Sequence, residues 1–197
     1  DAGTPAISDP GEDLVRLCAE RGIPVSSIPG ACAAITALTL SALPTRRFCF
    51  EGFIPVSSKE RRARLDAIAA EERTQIIYEA PHKLRKTLDD LLSVCGGERR
   101  IALCRELTKL NEEALRMTLF ETVEYYKEKE PRGEYVLVLE GAPESADSAV
   151  SQMSIREHLE YYISEGIAMK DAIKAVAKER GIPKNEVYAE SLKMKSE

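Results

Sequence analysis

Between residues 47 and 141, runs of strand length alternate with amphipathic stretches of helix length, and this alternation restricts the fold more than any other feature. RFCFEGF (47–53), TQIIYEA (74–80), RRIALCREL (99–107) and EYVLVLEG (134–141) read as strands. SSKERRARLDAIAAEE (57–72), PHKLRKTLDDLLSVCGG (81–97) and TLFETVEYYKEKE (118–130) read as helices. The second of these opens on Pro81 and closes on Gly96–Gly97, the usual order of start and stop residues. Such a rhythm predicts an α/β fold with a mostly or partly parallel sheet covered by helices.

The flanks extend the pattern. DAGTPAISDPG (1–11) is a loop, EDLVRLCAERG (12–22) a short amphipathic helix, PVSSI (24–28) a short strand and ACAAITALTLSA (31–42) a small-residue helix. LSALPTRR (40–47) marks a composition shift, so we expect one α/β part over 1–44 and a second over 45–142. The Ala/Ser/Pro-rich stretch at 143–152 is an expected linker. Residues 153–197 carry three helical patterns, the last two joined by Arg180-Gly181-Ile182-Pro183 in helix-turn-helix outline. The tail from 151 holds eight basic and eight acidic residues, a balance that fits a packing or protein-contact unit better than a DNA reader.

A net charge of −5 over 197 residues argues against a uniformly basic nucleic-acid binder but leaves room for a local basic face. One such island exists. Arg46, Arg47, Lys59, Arg61, Arg62 and Arg64 are opposed between residues 45 and 64 only by Glu51 and Glu60, an excess of four positive charges. It is either an exposed helix face or a contact for a phosphate backbone. Five cysteines without a C-x-x-C pair predict reduced thiols and a cytoplasmic protein, and two histidines leave little scope for a metal site. No apolar stretch is long enough to span a bilayer.

Six separated segments occur in the order and spacing of one family. DAGTPAISDPG (1–11), IPGACAA (28–34), GFIP (52–55), YEAPHKL (78–84), RELTK (105–109) and GEYVLVLEG (133–141) together resemble the tetrapyrrole (corrin/porphyrin) methylases, in particular their ribosomal-RNA-modifying branch. The resemblance implies S-adenosylmethionine as cofactor, held between two α/β domains, and methylation of a cytidine ribose 2′-hydroxyl in 16S rRNA of the small ribosomal subunit. It also implies a homodimer. Carried onto this sequence, it gives Gly3, Thr4, Pro5, Ile7, Cys32, Ala33, Glu79, Ala80, Gly133 and Glu134 as cofactor contacts. Each has a plainer reading too. Gly3 and Pro5 are ordinary turn residues, Cys32 and Ala33 suit close helix packing, and Glu79 suits a helix N-terminus.

Methyl transfer from a sulfonium is an in-line displacement, and a ribose hydroxyl needs help in losing its proton. Glu79, His82 and Glu106 are the candidate bases, with a carboxylate favoured, and Lys109 and Arg105 are the candidate electrostatic partners. His82 is equally readable as a surface or capping residue, and the run from Arg105 to Glu113 as a solvated face. Asn111, Met117 and Lys83 stand where the family usually carries His, Gly and Arg. The resemblance covers the C-terminal two-thirds of the family pattern. From this the sequence predicts a weakly anchored opening loop, following directly on an absent strand, and an incomplete cofactor site. Two other readings stand beside rRNA methylation: methylation of a tetrapyrrole carbon on the same scaffold, and a non-catalytic RNA- or protein-binding module.

Overall fold

A computed structural model describes residues 3–143 and 153–194. Residues 1–2 and most of the expected linker, 144–152, lie outside the described residues. The chain divides into two compact units, 1–142 and 143–197. The first contains α1 (Glu12–Glu20), α2 (Ala33–Leu40), β1 (Phe48–Phe53), α3 (Ser58–Ala70), β2 (Thr74–Glu79), α4 (Pro81–Cys95), β3 (Arg100–Arg105), β4 (Glu113–Thr118), α5 (Leu119–Glu128) and β5 (Tyr135–Leu139). The five strands form one sheet in the order β1-β2-β5-β3-β4.

Among the described residues only β1 and β2 pair in parallel; β5 runs antiparallel to both β2 and β3, and β4 antiparallel to β3. Every residue of β5, Tyr-Val-Leu-Val-Leu, is buried, as a strand covered on both faces demands. Its alternation sorts the core into two layers. Ile77, Leu137 and Leu103 lie in register on one face and join the buried cluster that α3, α4 and α5 complete with Leu65, Leu88 and Leu119. Ile76, Val138 and Ala102 lie in register on the other face, where α2 packs with Ala34, Ala37 and Leu38. Thr118 closes a capping box with Glu121 and so starts α5 immediately where β4 ends.

Two expectations from the sequence are corrected. PVSSI forms no strand: it is irregular chain, exposed throughout, with no neighbouring strand among the described residues to complete a ladder. Conversely, the charged run after Arg105 turns back as an edge strand, β4, whose half-exposed residues lack the apolar signature of a buried strand. The sheet is therefore mixed, with one parallel pair. α1 forms as expected but buries none of its residues, leaving Leu14, Val15 and Leu17 in the open.

The second unit holds α6 (Ile155–Ser164), α7 (Met169–Arg180) and α8 (Lys184–Lys193) around Leu159, Ile173, Val176 and Val187. A capping box between Ser154 and Glu157 opens α6, and Gly181, left-handed at φ 61°, ends α7. His158 is fully buried there, stacked on Tyr162 with ring centroids 5.3 Å apart. Arg180 Nε donates to its Nδ1 at 3.1 Å, which makes the ring neutral with the proton on Nε2, 3.1 Å from Glu179 Oε2. Burial and the Arg180 charge hold the His158 pKa below its ordinary value, against the opposing pull of Glu179.

With the folded pKa lowered, the unfolded chain takes up the proton first as pH falls. The stabilisation is complete above about pH 6.5 and is lost below it. Thermal unfolding followed by circular dichroism should show the transition of this unit falling as pH drops through that value. His158→Gln should remove the dependence, whereas an unchanged pH profile would show that His158 does not couple to this unit's stability.

Candidate functional site

Strand direction gathers the candidate residues at one edge of the sheet. β1, β2 and β3 all end there, and β5 begins there, between β2 and β3. Tyr135, the first residue of β5, is in register with Glu79 on one side and Arg105 on the other. Glu79, Ala80, Arg105, Glu106, Gly133 and Glu134 therefore meet along one rim.

Glu106 sits at φ 51° and folds back over Gly133. Its N–H donates to the Glu134 carbonyl at 3.1 Å, and its Oε1 accepts the Glu134 N–H at 3.0 Å. A Cβ on Gly133, itself at φ 82°, would stand 2.6 Å from Glu106 Cγ, so the clasp requires glycine there. Lys109 Nζ bridges Glu106 Oε1 at 3.2 Å and Glu134 Oε2 at 3.0 Å. The Glu134 N–H, then Lys109, hold the Glu106 carboxyl below its ordinary range, while Glu134 and Glu106 together raise Lys109. A carboxylate so stabilised is a weak proton acceptor.

Glu79 is buried and engaged on both oxygens. Oε1 accepts the Ala80 N–H at 2.9 Å, and Oε2 accepts the Thr87 hydroxyl at 2.5 Å. The Thr87 oxygen in turn accepts Arg61 Nη2 at 2.9 Å. Arg61 donates Nε to Asp90 at 2.7 Å and Nη1 to the Pro55 carbonyl at 3.3 Å. Burial pushes the Asp90 carboxyl up, but Arg61 and Lys86 outweigh it and hold it below its ordinary range. This corrects the expected role of Arg61: only 7% exposed, with every branch of its guanidinium occupied, it ties the turn after β1 to the end of β2. The reason is periodicity, because Arg61, Leu65 and Ile68 share the inward face of α3.

The opening loop joins the same rim through α2. Thr4 N–H donates to the Ala31 carbonyl at 2.9 Å, and the Thr4 hydroxyl donates to the Gly30 carbonyl at 3.3 Å. Gly3, at φ 111°, faces Gly30; a Cβ on it would be 2.5 Å from Ala31 O. Ala34 N–H donates to the Tyr78 hydroxyl at 3.1 Å, which fixes the start of α2 over β2. Ser8 Oγ would stand 3.3 Å from a Cβ on Gly52, at the end of β1. Around this cradle lie the half-buried Cys32, the exposed Pro5, Ile7 and Ala33, and the exposed carboxylate of Glu134. Backbone groups bared by small residues, one aliphatic side chain and nearby carboxylates suit a small zwitterionic ligand with an apolar part.

His82, on the first turn of α4, is exposed and makes no hydrogen bond or ion pair among the described residues. Of the basic island, Arg62 pairs with Asp66 and Arg64 with Glu51, whereas Arg46, Arg47 and Lys59 are exposed and make no ion pair among the described residues. No cluster of potential metal ligands occurs among the described residues. Sequence reasoning missed Tyr78 and Thr87, which hold α2 and Glu79 in place. Their only signal was position, next to or two turns beyond the Glu79 segment.

Residues 1–123 match the family Tetrapyrrole (Corrin/Porphyrin) Methylases. Ribosomal RNA small subunit methyltransferase I of Halalkalibacterium halodurans is 47% identical over 191 residues, which are 95% of this chain and 66% of that protein. The protein of the same name from Synechocystis sp. is 42% identical over 197 residues, 100% of this chain and 71% of that one. The chain thus spans about two thirds of the length of these relatives. The crystal structure of the methyltransferase CobJ superposes with a TM-score of 0.55 at 17% identity, covering 72% of this chain and 63% of that one, and so shares the fold.

Thr87→Val keeps the shape of the side chain and removes the donor to Glu79. We expect it to cost about 1–3 kcal/mol in urea unfolding, because a buried carboxylate oxygen loses its partner. Arg62→Ala, which breaks an exposed pair, should cost less than about 1 kcal/mol. Equal costs would show that the Glu79–Thr87–Arg61 relay carries no special weight.

Proposed function

The chain belongs to the tetrapyrrole (corrin/porphyrin) methylase family, and from that premise we propose that it is an S-adenosylmethionine-dependent methyltransferase acting on the ribose 2′-oxygen of a cytidine in 16S rRNA. The observation that carries this reading is the identity of 42–47% over nearly the whole chain with proteins named ribosomal RNA small subunit methyltransferase I. The convergence of loops 3–8, 28–34, 79–80, 105–109 and 133–134 supports it. We further propose that the protein acts in the cytoplasm as a homodimer on the small ribosomal subunit, with two α/β parts meeting near residue 44. Among the described residues no helix is long and apolar enough to cross a membrane.

S-adenosylmethionine, when bound, supplies a methyl group on a sulfonium that departs as a neutral thioether. The chain's own contribution is placement. Gly3 and Gly30 bring two backbone segments together, so that Pro5, Ile7, Cys32 and Ala33 can approach a ligand closely. Ala80, Gly133 and Glu134 would line the opposite side. Glu106 and Lys109 hold the Gly133–Glu134 backbone rigid, so an acceptor oxygen and a methyl carbon can be aligned in advance of reaction. For the proton, Glu79 and Glu106 already accept hydrogen bonds, and His82 is the candidate base whose nitrogens are unoccupied among the described residues. We therefore assign Glu79, Glu106 and Lys109 to positioning and His82 to proton acceptance.

The test is mass mapping of 16S rRNA after incubation of unmodified small subunits with the protein and S-adenosylmethionine. A single methyl on one cytidine ribose is expected, and its absence would contradict the proposal. Gly3→Val should weaken S-adenosylmethionine binding at least about tenfold, since a side chain at that φ is strained and meets Ala31 O. His82→Ala should lower turnover by about a hundredfold at unchanged cofactor affinity. A loss confined to Glu106→Gln would return the base role to a carboxylate.

A further inference from the structure

We propose that the exposed aromatic edge of β1, formed by Phe48, Phe50 and Phe53, is a stacking surface for unpaired bases of a single RNA strand whose phosphates are held by Arg46, Arg47 and Lys59. The inference rests on the RNA-directed reading above and extends it to how the substrate is gripped. Among the described residues β1 is an edge strand, paired only with β2. Phe48, Phe50 and Phe53 are in register with Thr74, Ile76 and Tyr78 of β2, the bulge between Phe50 and Gly52 keeping Phe53 in step, so the three share the sheet face of Ile76 and Tyr78 on which α2 packs. On that face α2 spans only eight residues and packs over β5 and β2, which leaves the rings of β1 partly exposed. Phe48 is 38% exposed, Phe50 37% and Phe53 56%.

The rings are held in place. Phe50 and Phe53 both make edge-type contacts with Tyr78, at centroid distances of 5.0 and 5.7 Å, and Tyr78 is pinned by the Ala34 N–H. A preset aromatic surface of this kind takes a base without a large ordering cost, and every base offers a π face. The charges argue for RNA over an apolar partner. Cations that make no ion pair among the described residues lie just before β1, at Arg46 and Arg47, and in the first turn of the helix that follows it, α3, at Lys59. Glu51, the one acidic residue of the strand, is neutralised by Arg64 at 2.7 Å. A strand of six residues is about 20 Å long, enough for a few nucleotides. The surface also adjoins the cradle: Gly52 lies beside Ser8, and Tyr78 bonds the first turn of α2. A base stacked on Phe53 therefore leaves its ribose beside the loops assigned to the methyl donor.

The sequence contains no tryptophan, so Phe53→Trp installs a single indole at the surface. Titrating that variant with a short single-stranded oligocytidylate should quench the indole while affinity is kept. Phe50→Ala and Phe53→Ala should each bind the oligonucleotide about tenfold more weakly. Both should keep the same dependence of affinity on salt, the same calorimetric affinity for S-adenosylmethionine and the same sedimentation behaviour. The double variant of Arg46→Ala and Arg47→Ala should instead flatten the salt dependence by about two phosphate contacts. If the unaltered protein binds oligocytidylate and both Phe variants bind equally well without indole quenching, the stacking surface is refuted while the RNA-directed reading survives. If the unaltered protein binds no RNA, both fall. Loss of cofactor affinity in the Phe variants would reassign the surface to the donor pocket. A change in sedimentation would reassign it to an interface between copies of the chain.

Discussion

The placement of β5 governs the rest of the rim. Because it lies between β2 and β3 and runs against both, its first residue arrives where theirs depart. Tyr135 is thereby flanked by Glu79 and Arg105, and the glycine turn before it falls under Glu106. A sheet with β5 at its edge would carry the same residues and scatter them. The all-apolar sequence of this strand enforces the central position, since each of its side chains needs cover on both faces.

Two polar assemblies then stiffen the rim from different depths. Near the surface, Glu106, Lys109 and Glu134 clasp the Gly133 turn; their exposure limits what the ion pairs add to stability, and their effect is to fix backbone positions. Below it, the Glu79–Thr87–Arg61–Asp90 relay buries a carboxylate and a guanidinium, whose polar atoms are satisfied by one another, by the part-exposed Asp90, by the Ala80 N–H and by the Pro55 carbonyl. The relay links the turns that follow β1 and β2. Carboxylates so committed serve better as struts than as proton acceptors, which moves the chemistry toward alignment and an unoccupied imidazole.

The alternation of strands and helices was legible in the sequence because β2, β3 and β5 have apolar centres, at Ile76–Ile77, Ile101–Cys104 and Tyr135–Leu139, and because Pro81 and Thr118 mark helix starts and Gly96 a helix stop. The edge strand β4 was not, since Glu113, Arg116 and Thr118 half face solvent and read as a charged loop. PVSSI misled for the opposite reason: its β-prone Val25 and Ile28 find no ladder to join among the described residues. Among the site residues, the residue types of the rim were readable but their engagement was not. Arg61 illustrates the difficulty, because charge counting placed it with Arg62 and Arg64, while helical spacing with Leu65 and Ile68 already pointed it inward. Tyr78 and Thr87 carry no chemical signature of their own and acquire a role only through the groups they meet.

In the proposed site, loops distant in sequence form one cradle for the methyl donor at this rim. Amide hydrogen exchange with and without S-adenosylhomocysteine tests it most directly. Slower exchange on ligand addition is expected at residues 3–8, 30–34, 80 and 132–134 together. Protection confined to other segments, or to one of these loops alone, would contradict it.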